Sequence, residues 1–212
     1  KKANIKENHI LEVGSSSGFF LEEAKKLKFF KSLIGIEPTP SQAKVSKAKG
    51  IDTYCMGYEN FNISKKFSAI VSFETIEHLF SPYEYLKWAR KKLLKFGYVM
   101  LTCPNFHGIE PILFGVKSKC VDYEHLNYFN PSSMNILLRR AGFSNVEITS
   151  TGALDIDIMS NALKNKKIEE SKINIFLLKI LKSKNKKDKR DFQNFIRTFN
   201  LSSNMLVIAQ KI

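Results

Sequence analysis

From His9 onward the chain alternates short apolar runs with stretches of helical spacing. His9-Ile10-Leu11-Glu12-Val13 reads as a buried strand, and Gly14-Ser15-Ser16-Ser17-Gly18 as a small-residue turn. A helix follows through Leu27. Ser32 to Glu37 predicts a second strand, one that ends in a carboxylate. Thr39-Pro40-Ser41-Gln42 predicts a helix start, with Thr39 as N-cap, Pro40 at the first helical position and Gln42 closing a capping box, and that helix should stop at Gly50. Ile51 to Cys55 is the third strand, Gly57-Tyr58-Glu59 a loop and Ala69 to Phe73 the fourth strand. Ser81-Pro82 repeats the cap-and-proline logic for a helix through Trp88 and Leu94 that ends before Gly97, and Tyr98 to Thr102 is the fifth strand.

Strand and helix alternating in this way argue for a parallel sheet covered by helices, with ligands at the carboxyl ends of the strands. That geometry gathers Gly14–Gly18, Glu37, Gly57–Tyr58, Phe73–Glu74 and Cys103–Asn105 onto one edge, although they are scattered in sequence. The glycines permit close ligand approach, and the first turn of the following helix offers unpaired N–H groups. Gly-x-x-x-Gly is neither Gly-x-Gly-x-x-Gly nor a turn leading into Gly-Lys-Ser/Thr, so the dinucleotide and triphosphate fingerprints both fail. From Cys103 to Phe129 the pattern turns irregular, as expected of a lid or substrate wall. Asn130-Pro131 starts a helix stopped by Gly142, Val146 to Thr149 is a sixth strand, about 155 to 200 is helical and basic, and Met205 to Ala209 is the last strand.

Composition narrows the class. The 212 residues, 43% of them hydrophobic, suit one domain with an ample core. Cys55, Cys103 and Cys120 form no Cys-x-x-Cys pair, which points to a reducing, cytoplasmic setting. The apolar runs fall short of a bilayer span, and no leader pattern opens the chain. Lysine at position 1, so close to the first strand, suggests an N-terminal piece beyond this sequence. Of the net charge of +14, an excess of +8 falls between Lys164 and Arg190, where ten Lys and one Arg face Glu169, Glu170 and Asp188. The bland account is a solvated lysine-rich surface; the functional one is attraction of an anionic acceptor.

Three ordered blocks carry a family resemblance: Leu11-Glu12-Val13-Gly14-Ser15-Ser16-Ser17-Gly18, then Ile76-Glu77-His78-Leu79-Phe80-Ser81-Pro82, then Leu93-Leu94-Lys95-Phe96-Gly97-Tyr98-Val99 with Pro104-Asn105 beyond. With Glu124-His125-Leu126-Asn127-Tyr128-Phe129 they make the chain resemble class I S-adenosylmethionine-dependent methyltransferases of the small-molecule and sugar-modifying branch, from Ile10 to about Phe143. Departures are Ser16 for the middle glycine, Phe96-Gly97-Tyr98 for Pro-Gly-Gly, and Ser68 for an aspartate. The resemblance implies an α/β fold, a Rossmann-like three-layer sandwich with a mostly parallel seven-stranded sheet, helices on both faces and a last antiparallel strand. It implies a single methyltransferase domain over 1–212, with a lid at about 103–130 and a basic helical insertion at about 155–200. The implied cofactor is S-adenosyl-L-methionine, with S-adenosyl-L-homocysteine as product. The implied partner is a small-molecule acceptor of the sugar or glycan-precursor class, methylated on oxygen, with nitrogen or carbon as the alternatives. No Asn-Pro-Pro-Tyr or Asp-Pro-Pro-Tyr follows the fourth strand, which argues against nucleic acid, although an RNA methyltransferase or a non-catalytic cofactor-binding domain are the rival readings.

Carried onto this sequence, the resemblance gives Glu37 the ribose hydroxyls, since a carboxylate accepts two hydroxyl protons well. Glu12 goes to the methionine end of the cofactor. Gly14, Ser15, Ser16, Gly18, Phe19, Pro38, Gly57, Tyr58, Phe73 and Glu74 complete the cofactor set. Asn105, Phe106, Tyr123 and Tyr128 are candidates for the acceptor pocket. His125 is the candidate general base, with His78 beside it and His107 in reserve, because imidazole titrates near neutral pH. Glu77-His78 shows no His-Glu-x-x-His pattern and no third ligand nearby, so no metal is expected.

Overall fold

The structure is a computed structural model that describes residues 8–118, 120–150, 152, 155–165 and 174–212. Seven strands are described, β1 (His9–Val13), β2 (Ser32–Ile36), β3 (Asp52–Tyr54), β4 (Phe67–Phe73), β5 (Leu93–Pro104), β6 (Ser144–Ser150) and β7 (Asn204–Gln210). They form one sheet in the order β3-β2-β1-β4-β5-β7-β6. β7 is antiparallel to both β5 and β6, and the other pairings are parallel.

Alternation along the strands decides which face each side chain enters. Leu11 and Val13 of β1, Ile70 of β4 and Val99, Leu101 and Cys103 of β5 join one core, against Tyr85, Leu86 and Ala89 of α3 (Pro82–Lys92) and Met134 and Leu138 of α5 (Pro131–Arg140). Ile10, Val71 and Met100 point the other way, onto Leu21 and Phe20 of α1 (Phe19–Lys26). α2 (Pro40–Ala48) packs beside β3. α4 (Ile109–Phe114), followed by a single 3-10 turn, gives order to part of the expected lid.

The basic segment is helical where described. α6 (Asp155–Lys164), α7 (Ile175–Lys182) and α8 (Lys186–Thr198) build a small core of their own around Met159, Leu181 and Ile196, which also packs on Leu113. Lys166, Lys167, Glu169, Glu170 and Lys172, part of the expected charge run, lie outside the described residues.

Local chemistry explains where the observed elements depart from the sequence pattern. Ser81 caps α3 by accepting from Glu84 N, and Asn130 with Ser133 forms a reciprocal capping box on α5. The box expected at Thr39 and Gln42 does not form. Thr39 makes no side-chain cap, and the Gln42 amide oxygen accepts instead from Ser17 Oγ. β5 begins at Leu93 rather than Tyr98, because a register shift against β4 and a positive φ of 64° at Phe96 let the strand absorb a bulge there.

Candidate active site

The tips of β1 to β4 border a cleft of about 870 Å³, in the size range of small-molecule sites. Gly14 and Ser16 come from the β1 turn, Glu37, Pro38 and Thr39 follow β2, Gly57, Tyr58 and Glu59 follow β3, and Phe73, Glu74, Thr75 and His78 follow β4. Gln42, Leu79, Phe80 and Glu124 complete the walls.

The β1 turn is shaped by three residues in the left-handed region, Gly14 (φ 74°), Ser16 (φ 46°) and Gly18 (φ 75°). A β-carbon on Gly14 would run into the Thr75 side chain, so the glycine lets the loop after β4 close against β1. Ser16 carries a side chain where glycine is the unstrained choice, which explains why its family pattern has glycine there. Gly14 N and Ser15 N both donate to Ile36 O, which ties the turn to the tip of β2.

Glu37 is buried, and each carboxylate oxygen accepts one backbone N–H at 2.8 Å, Oε2 from Ser16 and Oε1 from Thr39. Two backbone donors hold its charge at the cleft wall and leave further lone pairs for a ligand's hydroxyls. Glu12 sits 4% exposed at the base of the turn, and its Oε2 has no hydrogen-bond partner. Burial, and secondarily the Glu37 carboxylate, push its carboxyl up to about 8. Among the described residues no lysine forms an ion pair with it. A buried oxygen without a partner is costly unless a ligand supplies one.

Of the residues expected from the sequence, Gly14, Ser16, Glu37, Pro38, Gly57, Tyr58, Phe73, Glu74 and His78 line the cleft. Ser15 is buried beneath it, and Gly18 caps α1. Phe19 does not face the cleft; it is exposed under Lys49, whose Nζ stands 3.8 Å from the ring centroid. Asn105 is also corrected: fully buried, it donates to Asn200 O and Ser202 O and accepts from His107 N, fastening β5 to the approach of β7. Phe106 and Tyr128 pack on each other at 5.0 Å, and Tyr123 is exposed with its hydroxyl on Glu124; none of the three lines the cleft. His125 does not line it either, but its ring lies 4.8 Å from that of His78, which does.

Sequence spacing shows no third group near Glu77-His78, but the fold brings His125 beside them. Thr39, Gln42, Glu59, Thr75, Leu79, Phe80 and Glu124 were missed from sequence. Thr39, Thr75, Leu79 and Phe80 flank motif residues and were legible as neighbours; nothing local marks Glu124. Among the described residues the cleft's charged side chains are Glu37, Glu59, Glu74 and Glu124, with no Lys or Arg, and none from α6 to α8 lines it. The basic segment therefore leaves the cleft itself acidic.

The methyltransferase-domain family profile matches residues 2–148. The chain belongs to the methyltransferase-domain family. No curated protein matches it at a significant level. Among solved structures, the methyltransferase is similar to an S-adenosylmethionine-dependent methyltransferase of Thermotoga maritima described as a possible histamine N-methyltransferase, at 17% identity and a TM-score of 0.65, over 99% of this chain and 84% of that one. It is similar to phosphoethanolamine N-methyltransferase 2 of Haemonchus contortus bound to S-adenosyl-L-methionine, at 14% identity and a TM-score of 0.65, over 97% of this chain but 49% of that one. It is also similar to the plantazolicin methyltransferase, solved with a desmethyl substrate analogue and S-adenosylhomocysteine, at 17% identity and a TM-score of 0.61, over 96% and 76%. At such identities the likeness carries the fold, while the family match and the cofactor-bound neighbours make S-adenosylmethionine the cofactor.

Proposed function

We propose that the methyltransferase transfers a methyl group from S-adenosylmethionine to a hydroxyl oxygen of a small, uncharged acceptor of the sugar or glycan-precursor class. The observation that carries the cofactor end is the Glu37 carboxylate held at the cleft wall by two backbone N–H groups, with the orphaned oxygen of Glu12 buried in β1 behind the glycine turn. Glu37 takes the ribose hydroxyls, Glu12 meets the ammonium of the methionine end, Gly14 and Ser16 give close backbone approach, and Pro38, Tyr58 and Phe73 pack on the purine. When bound, the cofactor supplies a methyl group activated on a sulfonium. The protein's own part is alignment and exclusion of water.

Phe80, 97% exposed at the cleft rim, offers an aromatic surface to the apolar face of a sugar ring. The acidic lining disfavours the anionic acceptor that the basic segment suggests. His78 and His125 are the groups for hydroxyl activation. Each Nδ1 lies 2.9 Å from a backbone carbonyl, of Glu124 and Cys120 respectively, so Nδ1 donates there and Nε2 is the ring atom that can face an acceptor hydroxyl.

A labelled-methyl assay over uncharged sugars, nucleotide-linked sugars and bulk RNA tests this reading. Label on an uncharged hydroxyl acceptor, with turnover insensitive to ionic strength, is the expected result. Salt-sensitive labelling of RNA would replace the reading with a nucleic-acid methyltransferase acting through α8.

A further inference from the structure

Glu77 closes the loop after β4 as a buried residue, 1% exposed, and neither carboxylate oxygen has a hydrogen-bond partner. A buried carboxyl with no protein donor on either oxygen is costly unless some other group meets it. One donor atom from each of Glu77, His78 and His125 lies within 4.8 Å of the other two. Both imidazoles are already oriented. The Nδ1 hydrogens of His78 and His125 go to the carbonyls of Glu124 and Cys120, each at 2.9 Å, which makes Nε2 the atom through which each ring would meet an ion. Metal-ligating histidines are held in the same way, by a carbonyl on the ring nitrogen that does not bind the ion.

The loop that brings His125 is itself fastened to the Glu77 turn. Asn127 N donates to Glu77 O at 3.0 Å, and Asn127 Nδ2 donates to Leu79 O at 2.7 Å. The spacing of Glu77, His78 and His125 therefore does not depend on a free loop.

We propose that Glu77, His78 and His125 form a binding site for a divalent transition-metal ion of the Zn2+ class, beside the cleft. Two imidazoles and one carboxylate suit such ions, and three protein ligands leave a position open. At bonds of about 2.0–2.1 Å, tetrahedral ligands stand about 3.3 Å apart, so binding draws the three side chains together by about 1.5 Å at most. His78 borders the cleft, so an ion held by the three side chains would stand beside it. Resting on the proposed methyl transfer to oxygen, the ion would hold the acceptor hydroxyl and lower its proton affinity, so that the proton passes to water while the oxygen–methyl bond forms and the sulfonium–methyl bond breaks. In that case His78 and His125 are both metal ligands and neither is a free base.

The test uses the tag-free full chain, stripped with chelator and titrated with CoCl2 while visible ligand-field absorption is followed. One Co2+ per chain, displaced by ZnCl2 and not by MgCl2, is the expected result, with His125→Gln and His78→Gln each weakening the affinity at least tenfold. S-adenosylhomocysteine binding by His125→Gln, read by calorimetry, confirms that this variant is folded. Absence of saturable one-to-one Co2+ binding, or wild-type affinity in both variants, overturns the site. Co2+ binding by a wild-type chain that fails to bind S-adenosylhomocysteine upholds the metal site and refutes only the reading of the cleft.

Discussion

Replacing Glu37 by alanine removes the carboxylate that both shapes the cofactor cleft and, in the proposed pose, receives the ribose. In the protein alone its two oxygens accept from Ser16 N and Thr39 N, so the loss of stability is that of two hydrogen bonds to a charged group. Such bonds are worth about 1.5–3 kcal/mol each, though the two N–H groups recover part of this by hydration at the cleft wall. The ribose bonds have the same character, so calorimetry with S-adenosylhomocysteine should show the affinity falling by roughly 10- to 150-fold, which corresponds to about 1.5–3 kcal/mol. Loop distortion alone would also weaken binding, and a second ligand pair separates the two causes. Wild-type protein should prefer adenosine to 2′,3′-dideoxyadenosine by a similar factor, and Glu37→Ala should bind both equally weakly. A folded variant that still discriminates between them, or whose affinity for S-adenosylhomocysteine is unchanged, refutes the assignment of Glu37 to the ribose.

Other expectations follow from the same site. The Glu12 carboxyl, raised to about 8, keeps its proton at neutral pH in the free protein, and an ammonium beside it favours the carboxylate. Cofactor binding at pH 7 should therefore release up to one proton, seen as a dependence of the calorimetric enthalpy on buffer ionisation that disappears in Glu12→Gln; no such dependence in the wild type would remove Glu12 from the methionine end. Because its folded value lies above the unfolded one, Glu12 contributes stability below about pH 4.5 that is lost as pH rises through about 8. Thermal melts of the wild type should fall across that window more steeply than those of Glu12→Gln, by at most about 1.4 kcal/mol per pH unit. Ser16→Gly should leave the melting temperature level or raised, since it relieves a left-handed serine worth about 1 kcal/mol, whereas Ser16→Val should lower it. Asn105→Ala should cost about 1–3 kcal/mol of stability by stranding the Asn200 and Ser202 carbonyls, with the KM for the methyl acceptor unchanged; a rise in that KM without loss of stability would return Asn105 to the acceptor pocket.

What could be read from the sequence was local chemistry with a fixed period. The apolar runs of β1, β2 and β4, the proline starts of α2, α3 and α5, and the glycines at 14 and 18 each act within a few residues, and each stands where the pattern puts it. Glu37 was legible for the same reason, because the end of β2 is fixed by its own hydrophobic run. The capping box at Thr39 was misread because Gln42 had a competitor 25 positions away, the hydroxyl of Ser17. Asn105 was misread because its partners, at Asn200 and Ser202, arrive only when β7 returns antiparallel beside β5. The grouping of Glu77 and His78 with His125 was hidden for a similar reason. It depends on Asn127 stitching the loop to the turn after β4, a contact between positions 50 residues apart with no sequence period to announce it.

The central claim is that the cleft at the tips of β1 to β4 holds S-adenosylmethionine, and a crystal structure of the chain with S-adenosylhomocysteine tests it most directly. The ribose hydroxyls should lie on the Glu37 carboxylate and the ammonium beside Glu12, with the thioether sulfur facing the His78 side of the cleft. Density for the nucleoside elsewhere on the molecule, or a cleft left empty at saturating ligand, would contradict it.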